Sequence, residues 1–349
     1  MKTNSLAFCE ALQIKLPIIQ APMAGLQTSA MAIAVCNAGG LGSLPTATLS
    51  LEALEKELKA ITLGTRGAFN VNFFVHDVPV ADPAQEAAWR LALAPYFSEY
   101  GIDGASIPAG PGRAPFSHAA ADVVEAFKPA VVSFHFGLPS DGLLARVRSW
   151  GSQIWSSATT LAEAKWLEHK GVHAIIAQGL EAGGHRGLFL SRDLSSQVGS
   201  LALIPQVVAA VKIPVIAAGG IADGKGVQAV LQLGASAAQI GTAYLLCDEA
   251  TTSGVHRQAL KSTGAQFTAL TNLFTGRPAR GIVNRLMREL GPMSSDTPEF
   301  PLASAALAPL RAKAELAASG DFTSMWAGQN TSGCEEVSAA SLTLKLAAY

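Results

Sequence analysis

The sequence contains few charged residues. Aspartate, glutamate, lysine and arginine make up 15% of the 349 residues, against about 25% in an average soluble protein. Such a chain buries much of its length in a large core or at contacts between subunits. The formal net charge is −1, and no run of five lysines or arginines occurs. This composition argues against binding to nucleic acid or to an anionic membrane surface.

Cysteines are also few and widely spaced, and no long uninterrupted apolar segment occurs. The four cysteines are Cys9, Cys36, Cys247 and Cys334, and none belongs to a CxxC pair. Together with the absence of an HExxH motif, this spacing argues against zinc and favours reduced thiols in a cytoplasm. Proline, glycine or lysine interrupts every apolar run before the roughly 18 residues that a transmembrane helix needs. The sequence therefore predicts a cytoplasmic protein with no signal peptide and no bound metal.

Short apolar segments alternate with longer helical patterns, which is typical of βαβ units around a parallel sheet. Eight strands are predicted, at residues 17–23, 40–45, 69–75, 131–137, 153–159, 174–179, 214–220 and 237–243. Intervening helices include residues 160–171 and residues 223–234, the second of which starts at a predicted N-cap, Asp223. Eight strands with right-handed crossovers predict a TIM (β/α)8 barrel, and an open doubly wound sheet is the alternative.

Two stretches interrupt this alternation and suggest the domain organisation. Within a barrel domain of residues 1–247, residues 76–130 form a long excursion that we expect to cover the barrel mouth. Residues 248–310 are predicted to form a smaller, mostly helical second lobe. Residues 311–349 would then contain a C-terminal helix that returns to the barrel, followed by a tail.

Glycines follow the two strands after which TIM barrels commonly bind phosphate. The predicted seventh strand ends in Gly219 and Gly220, and the eighth ends in the run Gln239, Ile240, Gly241 and Thr242. Backbone N–H groups at such strand ends can bind one dianionic phosphate, and the threonine can add a hydroxyl donor. The alternative is that these glycines only form tight turns between strand and helix.

Two amide side chains are predicted near other strand ends. Asn72 lies in the third strand, and Gln178 lies near the end of the sixth. Each alone could simply satisfy buried backbone groups. Next to a phosphate site in a chain with few charges, they suit a planar heterocycle with donors and acceptors, such as a flavin.

One of the seven histidines stands out by its position. His185 follows the sixth strand directly after Gly183 and Gly184, whose missing side chains allow a close backbone approach. As a neutral imidazole it could take a proton from carbon, and as an imidazolium it could hold an anion. His135, near the end of the fourth strand, is a second candidate for the site.

Several motifs, in order along residues 14–329, resemble those of the nitronate monooxygenase family, formerly called 2-nitropropane dioxygenases, and are most similar to its class I branch. They are PIIQAPMAG, NAGGLGSL, FNVNFF, EAGGHRG, PVIAAGGIADG, AAQIGTA, GRPARGIVNR and WAGQ. The glycine motifs after the seventh and eighth strands recur in many flavin barrels. The combination of EAGGHRG with GRPARGI and WAGQ is more specific and restricts the resemblance to this family. The sequence departs from the family pattern after PMAG and after GLGSL. Both departures lie at the ends of predicted strands, so they affect the expected size and shape of the substrate more than the expected cofactor.

The resemblance implies an FMN-dependent oxidation of alkyl nitronates by O₂ to carbonyl compounds and nitrite, as in detoxification of propionate 3-nitronate. It implies that the backbone from Ala21 to Met23 lies near the isoalloxazine ring and that His185 is catalytic. It also implies that FMN is contacted by Asn72, Gln178, Gly183, Gly220, Gln239, Ile240, Gly241 and Thr242.

Two other functions remain open at this stage, an NAD(P)H-dependent enoyl or quinone reductase on the same scaffold and a non-redox phosphate-binding isomerase or lyase. The low charge content is compatible with a homodimer.

Overall fold

The computed structural model describes residues 3–108, 110 and 112–348 and contains all eight predicted strands, arranged in parallel. The strands are buried along nearly their whole length, which explains why their sequences are apolar without alternation. They are β1 (Ile18–Gln20), β2 (Gly42–Pro45), β3 (Phe69–Phe74), β4 (Val131–His135), β5 (Gln153–Ala158), β6 (Ala174–Gln178), β8 (Val215–Ala218) and β9 (Ala237–Ile240). A further short strand, β7 (Gly184–His185), belongs to a second sheet.

The eight strands close into a barrel. Their order is β1-β9-β8-β6-β5-β4-β3-β2, and a parallel bridge between Ile19 and Leu41 joins the two ends. The N–H of Gln20 donates to the Leu41 carbonyl at 3.0 Å, and the N–H of Leu41 donates to the Ile18 carbonyl at 2.9 Å. The prediction of a TIM barrel is confirmed, and the open sheet is excluded.

Helices surround the barrel and cover the outer faces of its strands. They are α2 (Ser29–Asn37), α3 (Leu51–Gly64), α5 (His118–Glu125), α6 (Asp141–Ser149), α7 (Leu161–His169), α8 (Ser200–Ala210), α9 (Gly224–Gln232) and α13 (Ala339–Ala347). The predicted helices at 160–171 and 223–234 correspond to α7 and α9. The Asp223 carboxylate accepts the N–H of Gly226 at 2.7 Å, which confirms the predicted N-cap.

The barrel interior is filled from below by the N-terminal helix α1 (Thr3–Leu12). Phe8 and Leu12 of this helix pack with inward-facing residues of the strands, and the rings of Phe8 and Trp155 lie 5.7 Å apart. Helix α1 thus covers the end of the barrel at which the strands begin.

The smaller lobe combines residues from the excursion and from the chain after β9. Helix α4 (Pro83–Glu99) of the excursion packs against α12 (Ser304–Leu316). Two further helices of this region are α10 (Gly254–Lys261) and α11 (Arg285–Leu290). At its centre, β10 (Thr268–Thr271) and β11 (Ala279–Ile282) form an antiparallel hairpin that pairs with β7. This three-stranded sheet was not predicted, because its strands are only two to four residues long and one comes from the distant segment of His185.

The C-terminal region differs in detail from the sequence prediction. The predicted C-terminal region, residues 311–349, begins inside α12, which packs on the smaller lobe, and the helix in it that returns to the barrel is α13. Leu342 and Leu346 of α13 are buried in the barrel core, and α13 takes the place of the eighth barrel helix beside β1. Among the described residues, none of the helices has both the length and the apolar character required to cross a membrane.

Candidate active site

A large cavity opens where the barrel strands end, as expected for a TIM barrel. Its volume is about 1240 Å³ when its open mouth is included. All twelve predicted site residues line it, namely Ala21, Met23, Asn72, Gln178, Gly183, His185, Gly219, Gly220, Gln239, Ile240, Gly241 and Thr242. The second candidate histidine, His135, also lines it. The structure therefore brings these residues to one place, and their individual roles stay predictions.

The position of His185 is fixed by both sheets. Its backbone pairs with Ala279 of β11, and its carbonyl oxygen accepts hydrogen bonds from Gln178 Nε2 at 3.0 Å and His135 Nε2 at 3.1 Å. Its own Nε2 lies 3.0 Å from the hydroxyl oxygen of Thr275. A histidine held by its backbone and by one ring nitrogen has a defined orientation in the cavity.

The hydrogen bonds of Thr275 bear on the tautomer of His185. The Thr275 hydroxyl lies 3.4 Å from the Arg277 carbonyl, to which it can only donate. In the tautomer with the proton on Nε2, the Thr275 oxygen accepts that proton while its own O–H donates to this carbonyl. Nδ1 of the neutral ring is then the nitrogen that can accept a proton.

Aromatic rings enclose the His185 imidazole. The centroids of Phe74, Phe136, Phe300 and Trp326 lie 5.2 to 6.0 Å from that of His185. The ring is consequently removed from bulk water, and only 8% of the residue is exposed.

This burial has an electrostatic consequence. Burial, with smaller contributions from the positive charges of Arg113 and Arg277 and from His135, holds the pKa of His185 well below its usual range. Burial likewise lowers the pKa of His135 to about 4. Both imidazoles are therefore neutral at neutral pH, so of the two states considered for His185 the structure favours the neutral one.

The two glycines before His185 are needed for different reasons. A Cβ on Gly183 would lie 2.6 Å from both the Ala327 carbonyl carbon and the Gly328 nitrogen, well inside van der Waals contact. Gly184 has a φ of +71° and would direct a Cβ into open space. The close approach at Gly183 that the structure shows is therefore to the WAGQ segment, which brings Trp326 and Gly328 to the cavity wall.

The amide side chains at the site have different surroundings. Gln178 donates to the His185 carbonyl and accepts the N–H of Gly187 at 2.8 Å, so both of its polar atoms fix the histidine loop. Asn72 Nδ2 donates to the Ser133 hydroxyl at 2.9 Å. Gln239 Oε1 is buried and has no hydrogen-bond partner in the described part of the protein. A buried carbonyl oxygen without a donor costs free energy, so of these three amides Gln239 is the one whose oxygen a ligand donor would satisfy.

The glycine-rich rim at β8 and β9 offers free donors. Among the described hydrogen bonds, the backbone N–H groups of Gly220, Ile221 and Gly241 have no acceptor. The Thr242 oxygen accepts the N–H of Gly328 at 2.9 Å, which leaves its O–H proton available. The helix after β9 is a short 3₁₀ helix, Thr242–Leu246. Several backbone donors thus lie at one rim, where Gly220 has a φ of +75°, and such a cluster of N–H groups is chemically suited to an anionic group.

Arg186, which follows the histidine, has a structural role. It is fully buried and donates to the Gln197 side chain at 2.9 Å and to the carbonyl oxygens of Gly179 at 2.7 Å and Gln178 at 2.9 Å. These bonds fix the loop between β6 and β7.

Sequence reasoning missed several residues of the cavity wall and its surroundings. Arg113 lines the cavity, and Thr275 and Phe300 contact His185. Arg113 lies in the glycine- and proline-rich IPAGPGRAP stretch of the excursion. A long insertion after a barrel strand is a signal that could have pointed to it, since such loops carry function.

Comparisons with known proteins agree with this geometry. The nitronate monooxygenase family model matches residues 6–348. A curated nitronate monooxygenase from Pseudomonas aeruginosa is 40% identical over 347 residues, which cover 96% of each chain. One from Paraburkholderia phytofirmans is 41% identical over 351 residues and covers 99% of this chain and 95% of its own.

Solved structures show the same fold. A nitroalkane oxidase from Streptomyces ansochromogenes superposes with a TM-score of 0.88 at 38% identity, covering 98% of this chain and 97% of its own. FabK from Thermotoga maritima superposes with a TM-score of 0.70 at 24% identity, covering 97% of this chain and 94% of its own. At that identity the second likeness concerns the fold alone.

Proposed function

This chain belongs to the nitronate monooxygenase family, and we propose that it oxidises alkyl nitronates with O₂ at an FMN bound in the cavity. The observation that carries the proposal is the neutral, oriented imidazole of His185 in the same cavity as the glycine rim. The products are a carbonyl compound and nitrite, and detoxification is the corresponding role.

The residues present fit an FMN. The free N–H groups of Gly220, Ile221 and Gly241 and the O–H of Thr242 suit a phosphate. The orphaned Oε1 of Gln239 suits a ring N–H donor of the heterocycle. Beside this rim, a Cβ placed on Gly241 would lie in ordinary van der Waals contact, 3.4 Å from the Ala21 Cβ and 3.7 Å from the Met23 sulfur.

When bound, FMN supplies the electron acceptor for the substrate carbon and a means of reaction with O₂. His185 donates its Nε2 proton to Thr275 and keeps Nδ1 free to accept a proton from the carbon next to a nitro group. The four aromatic rings around it exclude water from this step. An anionic nitronate is attracted by the positive charge of Arg277, which acts on His185 itself.

The decisive experiment is turnover by the purified flavoprotein. We expect aerobic O₂ consumption and nitrite release with preformed alkyl nitronates and with propionate 3-nitronate. We also expect no bleaching of the flavin when NADH or NADPH is mixed in anaerobically. Rapid anaerobic bleaching without nitronate turnover would instead identify a reductase on the same scaffold, and a colourless protein without flavin would favour the non-redox alternative.

The cellular setting is also part of the proposal. All four cysteines are free thiols, which supports a reducing cytoplasm. Association as a homodimer is compatible with the low charge content, and the mass of the purified protein in solution will test it.

A further inference from the structure

One positively charged side chain of the cavity, that of Arg113, makes no hydrogen bond or ion pair within the described residues. Arg113 lies between β3 and α5, within the excursion of residues 76–130, and lines the cavity. Its backbone is nevertheless held in place, because His76 Nε2 donates to its carbonyl at 2.9 Å. Nearby, the N–H of Phe116 donates to the Phe74 carbonyl at 2.9 Å. These two bonds attach the loop to the end of β3 and fix where the Arg113 side chain starts.

The guanidinium of Arg113 differs from those of the other arginines around the site. Arg186 and Arg280 donate to backbone carbonyls, and Arg277 donates to the Leu188 carbonyl and stacks 3.8 Å from the Phe136 ring. Within the described residues, Arg113 has neither a carboxylate partner nor a hydrogen bond from its guanidinium. Burial and the nearby charge of Arg311 lower its pKa, so the side chain lacks a counter-ion that would compensate its desolvation.

Phe300 relates this cation to the histidine. The Phe300 ring lies 5.6 Å from the guanidinium carbon of Arg113 and 5.2 Å from the imidazole ring of His185. Arg113 and His185 thus contact one aromatic ring and line one cavity. This arrangement joins a cation and a neutral imidazole by an apolar wall, which suits a short carbon chain with a carboxylate at one end and the reacting carbon at the other.

We propose that Arg113 is a specificity-determining residue that binds a carboxylate at the far end of the substrate, while the nitronate group lies at His185. The inference rests on the proposed function and refines it. Binding of a carboxylate by Arg113 would favour nitronates with a terminal carboxylate over alkyl nitronates. A guanidinium matches a carboxylate with two parallel hydrogen bonds, so a substrate of this class replaces the missing counter-ion.

The kinetic test compares two substrates of equal chain length, propionate 3-nitronate and propyl 1-nitronate. In Arg113→Met we expect kcat/KM for the carboxylate substrate to fall about 10- to 100-fold, mainly through KM, because a charged hydrogen-bonding partner is lost. The kcat/KM for propyl 1-nitronate should change less than about threefold, because this substrate has no carboxylate for Arg113 to bind. Arg113→Lys should restore part of the loss. The control Arg66→Met removes an exposed positive charge elsewhere and should change neither substrate.

A binding test needs no turnover of the charged substrate. Succinate has the length and the two charges of propionate 3-nitronate, whereas butyrate has the length and one charge. As inhibitors of propyl 1-nitronate oxidation, succinate should bind the unaltered protein about tenfold more tightly than butyrate. In Arg113→Met this difference should disappear.

The outcomes separate this inference from the proposed function. If the unaltered protein oxidises neither nitronate, the proposed function fails. If it oxidises both but does not prefer succinate to butyrate, only the role of Arg113 is overturned. Equal losses on both substrates in Arg113→Met would also overturn it, since the arginine would then serve the nitronate group that both share.

Discussion

A methyl group on Gly183 should destabilise the protein even without any ligand. Its Cβ would lie 2.6 Å from two backbone atoms, Ala327 C and Gly328 N, and backbone cannot rotate away as a flexible side chain can. Overpacking of this kind costs about 1–3 kcal/mol, and we expect Gly183→Ala to reach about 2–3 kcal/mol because both clashing atoms belong to the main chain. With about 2.1 cal/mol/K per residue of unfolding entropy, this loss lowers the Tm of the 349-residue chain by roughly 3–4 °C.

Gly184→Ala is the matched control. It adds the same methyl group one residue later, at a φ of +71° and with nothing within 4 Å of the new carbon. The strain of about 1–2 kcal/mol is partly offset by about 0.4–1 kcal/mol from the less flexible unfolded chain, so a net loss of about 1 kcal/mol is expected. Both glycines line the cavity, but the methyl group on Gly184 would enter open space and not meet the main chain, so it should weaken ligand binding more than it weakens the fold.

The assay is thermal unfolding of both flavin-free variants, followed by titration with FMN. Gly183→Ala should show the lower Tm, and Gly184→Ala should show the clearer loss of affinity relative to its Tm. Equal melting temperatures would refute the reasoning, because the contact with the WAGQ segment would then not be what requires glycine at Gly183.

Three further predictions follow from the site and its charges. His185→Asn should retain FMN, lose about 10²- to 10⁴-fold of its rate on neutral nitroalkanes and lose less on preformed nitronates; unchanged nitroalkane turnover would remove His185 from the mechanism. Thr275→Val removes the acceptor of His185 Nε2 and should slow nitroalkane deprotonation about tenfold with little effect on nitronates, and equal effects on both would contradict the assigned tautomer. Burial lowers the pKa of His135 and His256 to about 4. Because the unfolded chain binds these protons at a higher pH than the folded one, the contribution of each neutral imidazole to the free energy of unfolding is fully present above about pH 6.5. It should fall by about 1.4 kcal/mol per pH unit for each group as the pH is lowered towards 4. Urea unfolding between pH 7 and 5 should therefore show a shallower pH dependence in His256→Gln, and an unchanged slope would refute this assignment.

Most of the barrel follows from local sequence patterns. Each strand is a short, fully buried apolar segment, and helices such as α9 begin at a recognisable cap, Asp223. The glycines that follow β8 and β9 are the local signal that predicts a phosphate rim, and Gly219 and Gly220 adopt positive φ angles that favour glycine. These features depend on a few consecutive residues, so they are readable before the chain is folded.

The three-stranded sheet depends on distant segments. Its strand β7 has two residues, and it pairs with β11 almost a hundred positions later in the chain. No local period can reveal such a pairing, because each strand is too short to bury an alternating face by itself. The same holds for Thr275 and Phe300, which reach His185 only after the smaller lobe has packed on the barrel.

The alternation of strands and helices, the glycines after the last two strands and the histidine after two glycines could be read from the sequence alone, because each is encoded within a few neighbouring residues. Closure of the barrel, the contact of Gly183 with the WAGQ segment, the neutral state of His185 and the place of Arg113 in the same cavity without a counter-ion became visible in the folded chain. These features depend on contacts, burial and charges between residues that are far apart in the chain, so no local pattern encodes them.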